Sequence, residues 1–172
     1  MKKTSVFISE EQLDHRILEM AKKIDSDFAG EEITVLCILK GSFIFCADLV
    51  RKLKSPLKIE FITLSSYGDE QHSSGEIKGD LTRLESLTDK NVLVVEDIVD
   101  TGLTLSFLMK NIALKKPRKL KLMTLLYKPS KLRHPLDLHY VGFEIEDKFV
   151  VGYGLDFAQN YRELPYVGVM DS

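Results

Sequence analysis

Cysteine is scarce in this 172-residue chain: there are two, Cys37 and Cys46, both in apolar surroundings. Two thiols so placed fit reduced core residues, and they exclude a disulfide framework or a cysteine-rich metal site. A long apolar run is also missing, and the N-terminal MKKTSVFISEEQLDHR meets acids before any such run. That argues against a signal peptide or a membrane span, so a cytoplasmic protein without membrane contacts is expected. Charge of one sign is not in excess. With 24 Lys and Arg against 26 Asp and Glu, the net charge is −2. No global attraction to nucleic acid or anionic lipid follows from that balance. No Gly-x-Gly-x-x-Gly follows the first strand-like run, which sets aside a Rossmann-type dinucleotide binder. Internal repeats and low-complexity linkers are lacking too. What remains is an ordinary globular composition, 44% hydrophobic and 29% charged. The length suits one domain with a substantial core.

Taken in order, the chain alternates strand-like and helix-like stretches. Ser9-Glu10-Glu11-Gln12 is a capping-box pattern, and apolar residues recur at Leu13, Ile17, Met20, Ala21 and Ile24. This predicts an amphipathic helix ending near Asp25. Ile33 to Leu39 is a continuous apolar run, a buried strand, broken by Lys40-Gly41-Ser42. Phe43 to Leu53 reads as a helix and Ile59 to Leu64 as a second strand. Ser65 to Asp80 has almost no apolar residue and three glycines, which predicts a mobile loop. Leu81 to Leu84 is expected to be a returning strand. Leu120 to Tyr127 is another buried strand, and short strands with glycine turns follow. The order predicts a right-handed, mostly parallel α/β sheet flanked by helices.

The stretch VLVVEDIVDTGLTL, Val92 to Leu105, is the most informative. Four apolar residues suit a strand buried on both faces. Glu96 and Asp97 follow, then Ile98, Val99, Asp100, Thr101 and Gly102, and a helical pattern begins at Leu103. In open α/β sheets ligands bind beyond the carboxyl ends of the strands. Backbone N–H groups at a helix start attract anions. One loop therefore offers a phosphate cradle beside three carboxylates, a conflict that a divalent cation or a sugar's hydroxyls would resolve. Asp and Thr at a helix start are also ordinary capping residues.

The full run resembles the phosphoribosyl-pyrophosphate (PRPP) motif of the type I phosphoribosyltransferases: hydrophobic strand, two acids, two apolar residues, Asp, a hydroxyl residue, Gly, any residue, Thr. A second run, Asp147 to Asp156 (DKFVVGYGLD), resembles the base-binding segment of the hypoxanthine-guanine branch of that family. Matches extend from Leu39 to Arg162. The resemblance implies the type I phosphoribosyltransferase fold in one domain, 1–172. Its core would span about 30–128, with a hood from about 129–172 joined by N-terminal residues.

It also implies site roles. Glu96 and Asp97 would meet the ribose hydroxyls and, with Asp156, the metal. Asp100 would be the general base. Thr101, Gly102, Leu103 and Thr104 would hold the 5′-phosphate, although many members carry a basic or polar residue where this chain has Leu103. Lys40, Gly41 and Arg162 would bind pyrophosphate, with a cis Leu39–Lys40 peptide. Ser66-Tyr67 would open a flexible catalytic loop at about 65–80. Lys128 would reach the 6-oxygen of the purine and Phe149 would stack on it. Val150 would offer backbone groups, and Ile98, Lys148 and Asp156 would line the same pocket. The implied reaction joins hypoxanthine, and guanine, to PRPP with Mg²⁺. The implied assembly is a homodimer or homotetramer without nucleic acid. The alternative is a pyrimidine-type phosphoribosyltransferase or uracil-sensing RNA-binding regulator on the same fold. The mild negative charge and the Phe149-Val150 match argue against it.

Overall fold

Ser9 starts the first helix as its sequence predicts. The Gln12 N–H donates to the Ser9 hydroxyl at 3.2 Å, and the Ser9 N–H donates to Gln12 Oε1 at 2.9 Å. This reciprocal cap satisfies two otherwise orphaned donors and opens α1 (Glu10–Phe28). The helix runs past Asp25 because Phe28 extends the apolar stripe of Leu13, Ile17, Met20, Ala21 and Ile24, all buried. The computed structural model describes residues 4–66, 77–78 and 87–170.

Five strands form the central sheet: β2 (Ile33–Leu39), β3 (Leu57–Thr63), β6 (Asn91–Val99), β7 (Lys119–Tyr127) and β8 (Tyr140–Glu144). Their order is β3-β2-β6-β7-β8, and every neighbouring pair is parallel. Because β8 pairs with β7, the sheet itself reaches residue 144, beyond the expected core limit of about 128. The continuous apolar runs are buried on both faces, as parallel strands require. Leu93 and Val95 of β6 join α1 and α2 (Phe43–Val50) in one core. Val92 and Val94 join α3 (Leu103–Leu114) in the other. α2 ends before the expected Leu53, which packs against the core from beyond the helix.

A smaller antiparallel sheet joins the two chain ends. β1 (Thr4–Ile8) pairs with β10 (Val167–Met170), and β10 pairs with β9 (Val150–Val151). β4 (Ser65–Ser66) pairs antiparallel with β5 (Ile77–Lys78). The rest of the expected 65–80 loop, Tyr67 included, and the expected strand at 81–84 lie outside the described residues. The Leu39–Lys40 peptide is cis, as the resemblance implied.

Candidate active site

The topology selects the crevice. From β2 the chain moves outward to β3 on one side; from β6 it moves through β7 to β8 on the other. The direction of winding reverses between β2 and β6, the place where open α/β sheets bind ligands. The pairing of β2 with β6 stops at Cys37 and Val95, whereas β6 stays paired with β7 through Val99. Glu96 and Asp97 therefore stand where β6 has lost one neighbour, and the gap opens in front of them.

The two acids are braced by local backbone. The Asp97 N–H donates to Glu96 Oε1 at 2.9 Å, and the Ile98 N–H donates to Asp97 Oδ1 at 2.8 Å. Burial pushes the Glu96 carboxyl well above the usual carboxylate range, and the neighbouring Asp97 charge adds to the shift. Across the gap, Gly41 lies so close that an added Cβ would overlap the Asp97 carboxylate. A Cβ on Gly154, at φ +99°, would overlap the Gly41 carbonyl oxygen. Two glycines thus bring the Lys40-Gly41 loop against the acid pair on one side and the 150–162 segment on the other.

Asp100 follows β6 and is exposed; its Oδ1 accepts the Thr101 N–H at 2.5 Å. Gly102 is the N-cap of α3 at φ +78°, without a side-chain cap. The first-turn N–H groups lack intrahelical partners and face a cavity of about 70 Å³ lined by Glu96 and residues 98–105. The segment after β7 backs this loop: the Arg133 and His134 N–H groups both donate to the Thr101 carbonyl at 3.0 Å. A Cβ on Gly102 would come within 2.8 Å of the His134 oxygen. Leu103 is exposed at the rim, so its side chain adds no donor there.

The residues expected to contact a base are placed unequally. Phe149 is 56% exposed and meets Phe157, itself 45% exposed, edge-on at 5.7 Å and 89°. Core packing does not account for Phe149. Phe157 was not singled out in the sequence; its neighbourhood to Asp156 was the only available signal. Val150 is buried on β9, an edge strand whose backbone has a partner on one side. Ile98 is half-buried and packs against the core. Lys128 follows β7, its N–H donating to the Val99 carbonyl at 2.9 Å. Its ammonium lies 3.2 Å from Asp147 Oδ1. Lys148 turns elsewhere, pairing with Glu146 at 3.2 Å and covering the Phe7 ring at 5.0 Å.

Asp156 and Arg162, expected at the metal and the pyrophosphate, hold each other at 2.7 Å. Arg162 also donates to the Gly154 carbonyl at 2.7 Å, and Asp156 accepts the Gln159 N–H at 2.8 Å. Among the described residues no three His, Cys, Asp or Glu side chains converge as a metal site. Glu96, Asp97 and Asp156 do not form such a cluster, and Asp156 pairs with Arg162. The donors present are carboxylate oxygens, and an adjacent acid pair is an arrangement that a divalent cation relieves. This fits Mg²⁺, which is usually held through one or two carboxylates plus substrate phosphates and water.

A larger groove, about 850 Å³, lies between α1, α2 and residues 153–165. It contains none of these groups. Its Arg51 pairs with Asp48 and its Lys52 with Asp14, so its cations are neutralised by its own acids.

Residues 9–158 match the phosphoribosyl transferase domain family. The chain belongs to that family. Its phosphoribosyltransferase fold is that of its solved neighbours. Over 99% of this chain and 100% of the other, it superposes with a TM-score of 0.92 on a hypoxanthine-guanine phosphoribosyltransferase from Bacillus anthracis, 47% identical. A hypoxanthine-guanine phosphoribosyltransferase of Bacillus subtilis is 40% identical over 96% of this chain and 92% of the relative. One from Mycobacterium avium is 41% identical over 97% and 85%.

Proposed function

We propose that this phosphoribosyltransferase transfers the phosphoribosyl group of PRPP to hypoxanthine, and to guanine, in purine salvage. The observation that carries the reading is the crevice between β2 and β6. It combines an acid pair, an open helix N-terminus and, across Gly41 and Gly154, the segment that bears exposed aromatics. The uracil-sensing alternative finds no support among the named relatives, whose names specify hypoxanthine and guanine.

Each group has a task in this reading. The bond from the ribose carbon to pyrophosphate breaks, the purine nitrogen bonds to that carbon, and the N7 proton passes to Asp100. The Thr101 hydroxyl and the backbone N–H groups from Gly102 to Thr104 fix the 5′-phosphate, and positioning of that kind supplies much of an enzyme's rate. Glu96 and Asp97 orient the ribose hydroxyls. Lys40, Gly41 and Arg162 meet the leaving pyrophosphate. Glu96, Asp97 and, once released from Arg162, Asp156 would hold Mg²⁺, which would supply charge neutralisation to the leaving group. Phe149 stacks on the purine, Val150 and Ile98 border it, and Lys128 donates to its 6-oxygen. Lys148 contributes through its backbone, since its side chain lies against Phe7. Ser66 and Tyr67 belong to the proposed catalytic loop, of which Tyr67 lies outside the described residues. The small antiparallel sheet and the segment before β10 act as the hood over a single-domain core.

No helix among the described residues is long and apolar enough to cross a membrane. The proposed setting is the cytoplasm, consistent with two free buried thiols. The proposed assembly is a homodimer or homotetramer. Ile59 and Phe61, exposed on the edge strand β3, supply apolar surface for it. Steady-state assays with PRPP and Mg²⁺ test the function. Turnover of hypoxanthine and guanine, with none of uracil, is expected; turnover of uracil alone contradicts it.

A further inference from the structure

Asp147 lies between two lysines. Its Oδ1 is 3.2 Å from Lys128 Nζ and its Oδ2 is 3.1 Å from Lys131 Nζ. The three groups differ in exposure. The Lys128 side chain is 12% exposed, against 44% for Lys131 and 49% for Asp147. The arrangement is built by two turns. Lys131 closes the short 3₁₀ turn after β7, its N–H donating to the Lys128 carbonyl at 3.0 Å. Asp147 sits in the connection from β8 to β9, fixed by the Lys148 N–H donating to the Glu146 carbonyl at 2.7 Å.

A lysine has three donors and one positive charge. Alone with Asp147, Lys128 would be drawn onto both carboxylate oxygens, and its ammonium would be spent. Lys131 changes that balance in two ways. It occupies one oxygen and cancels part of the carboxylate's charge. It also repels the Lys128 ammonium, which lies on the same carboxylate. Both effects loosen the hold of Asp147 on Lys128.

We propose that Lys131 is a positioning residue: by sharing Asp147 it leaves the Lys128 ammonium free to donate to a carbonyl oxygen on the incoming base. The inference deepens the proposed function and rests on Lys128 as the group that recognises that oxygen. It assigns the preference for oxo- over amino-substituted bases to a three-charge unit. Lys131 touches no substrate and acts only through Asp147.

The test is a mutant cycle read by steady-state kinetics with hypoxanthine and PRPP, on variants whose thermal melting matches the parent. Lys131→Met should raise the KM for hypoxanthine about three- to fivefold, the upper part of what an exposed ion pair commands. The KM for PRPP and kcat should stay near the parent values. Lys131→Arg should restore the parent KM. High salt should shrink the effect of Lys131→Met by screening. In an Asp147→Asn background Lys131→Met should have no effect, because the carboxylate it balances is gone. An equal rise in both backgrounds would mean that Lys131 supports the local structure, and the proposal falls. An unchanged KM in Lys131→Met overturns it as well, and Lys128→Ala then separates the causes. Weakened hypoxanthine binding in Lys128→Ala leaves the function standing without the Lys131 role. Unchanged binding there removes Lys128 from base recognition and the proposal with it.

Discussion

Asp100→Asn is expected to lower kcat roughly a hundred- to ten-thousand-fold, the range a positioned proton acceptor contributes, while leaving PRPP binding nearly intact. The separation follows from geometry. Asp100 stands exposed just after β6, and its Oδ1 accepts the Thr101 N–H. An asparagine carbonyl can accept the same bond, so the phosphate loop keeps its shape. What the amide cannot do is take the proton from the purine. Pre-steady-state turnover and PRPP binding by calorimetry would separate the two. Weakened PRPP binding with full turnover at saturation would assign Asp100 to holding the loop and remove it as the base.

Gly154→Ala carries the second large effect, and Gly30→Ala is its internal control. Both glycines have positive φ, +99° and +75°. A side chain there costs about 1–2 kcal/mol. They differ in what surrounds them. Nothing lies within 4 Å of a Cβ on Gly30, whereas a Cβ on Gly154 overlaps the Gly41 carbonyl oxygen. Backbone cannot swing aside as a side chain can, and overpacking adds about 1–3 kcal/mol. For a chain of this size about 1 kcal/mol moves Tm by roughly 2–4 °C. Gly30→Ala should therefore lose about 2–8 °C and keep its activity. Gly154→Ala should lose about twice that. Displaced Gly41 presses on Asp97, so kcat/KM should fall by about a hundredfold, as small misplacements at a reaction centre do. Equal behaviour of the two variants would show that the Gly41 and Gly154 approach does not organise the site.

The features legible in the sequence are local ones. The Ser9 cap, the apolar run ending in Glu96-Asp97, the glycine opening α3 and the turn at Lys40-Gly41 each rest on propensities within a few residues. The structure reproduces them, together with the parallel order of the core. The features that escaped are set by distant partners. The pairing of β1 with β10 joins the two ends of the chain, and no local pattern announces it. The resemblance implies separate tasks for Asp156, at the metal and the purine, and for Arg162, at the pyrophosphate, yet they clasp each other, a carboxylate and a guanidinium six residues apart across a turn. Phe157 carries little signal in the sequence, where one aromatic after an acid is unremarkable. Only its edge-on approach to an exposed Phe149 gives it meaning. Lys131 and Asp147 are separated by β8 and became a unit only in three dimensions.

In the proposed function the N-terminus of α3, beyond the carboxyl end of β6, grips the phosphate ester while the neighbouring acids face the sugar. A crystal soaked with the product nucleotide tests it most directly. Density for the 5′-phosphate is expected over the Thr101–Thr104 loop, with the ribose toward Glu96 and Asp97 and the base against Phe149. Phosphate density in the groove lined by Asp48 and Tyr153, or anywhere else away from that loop, would contradict it.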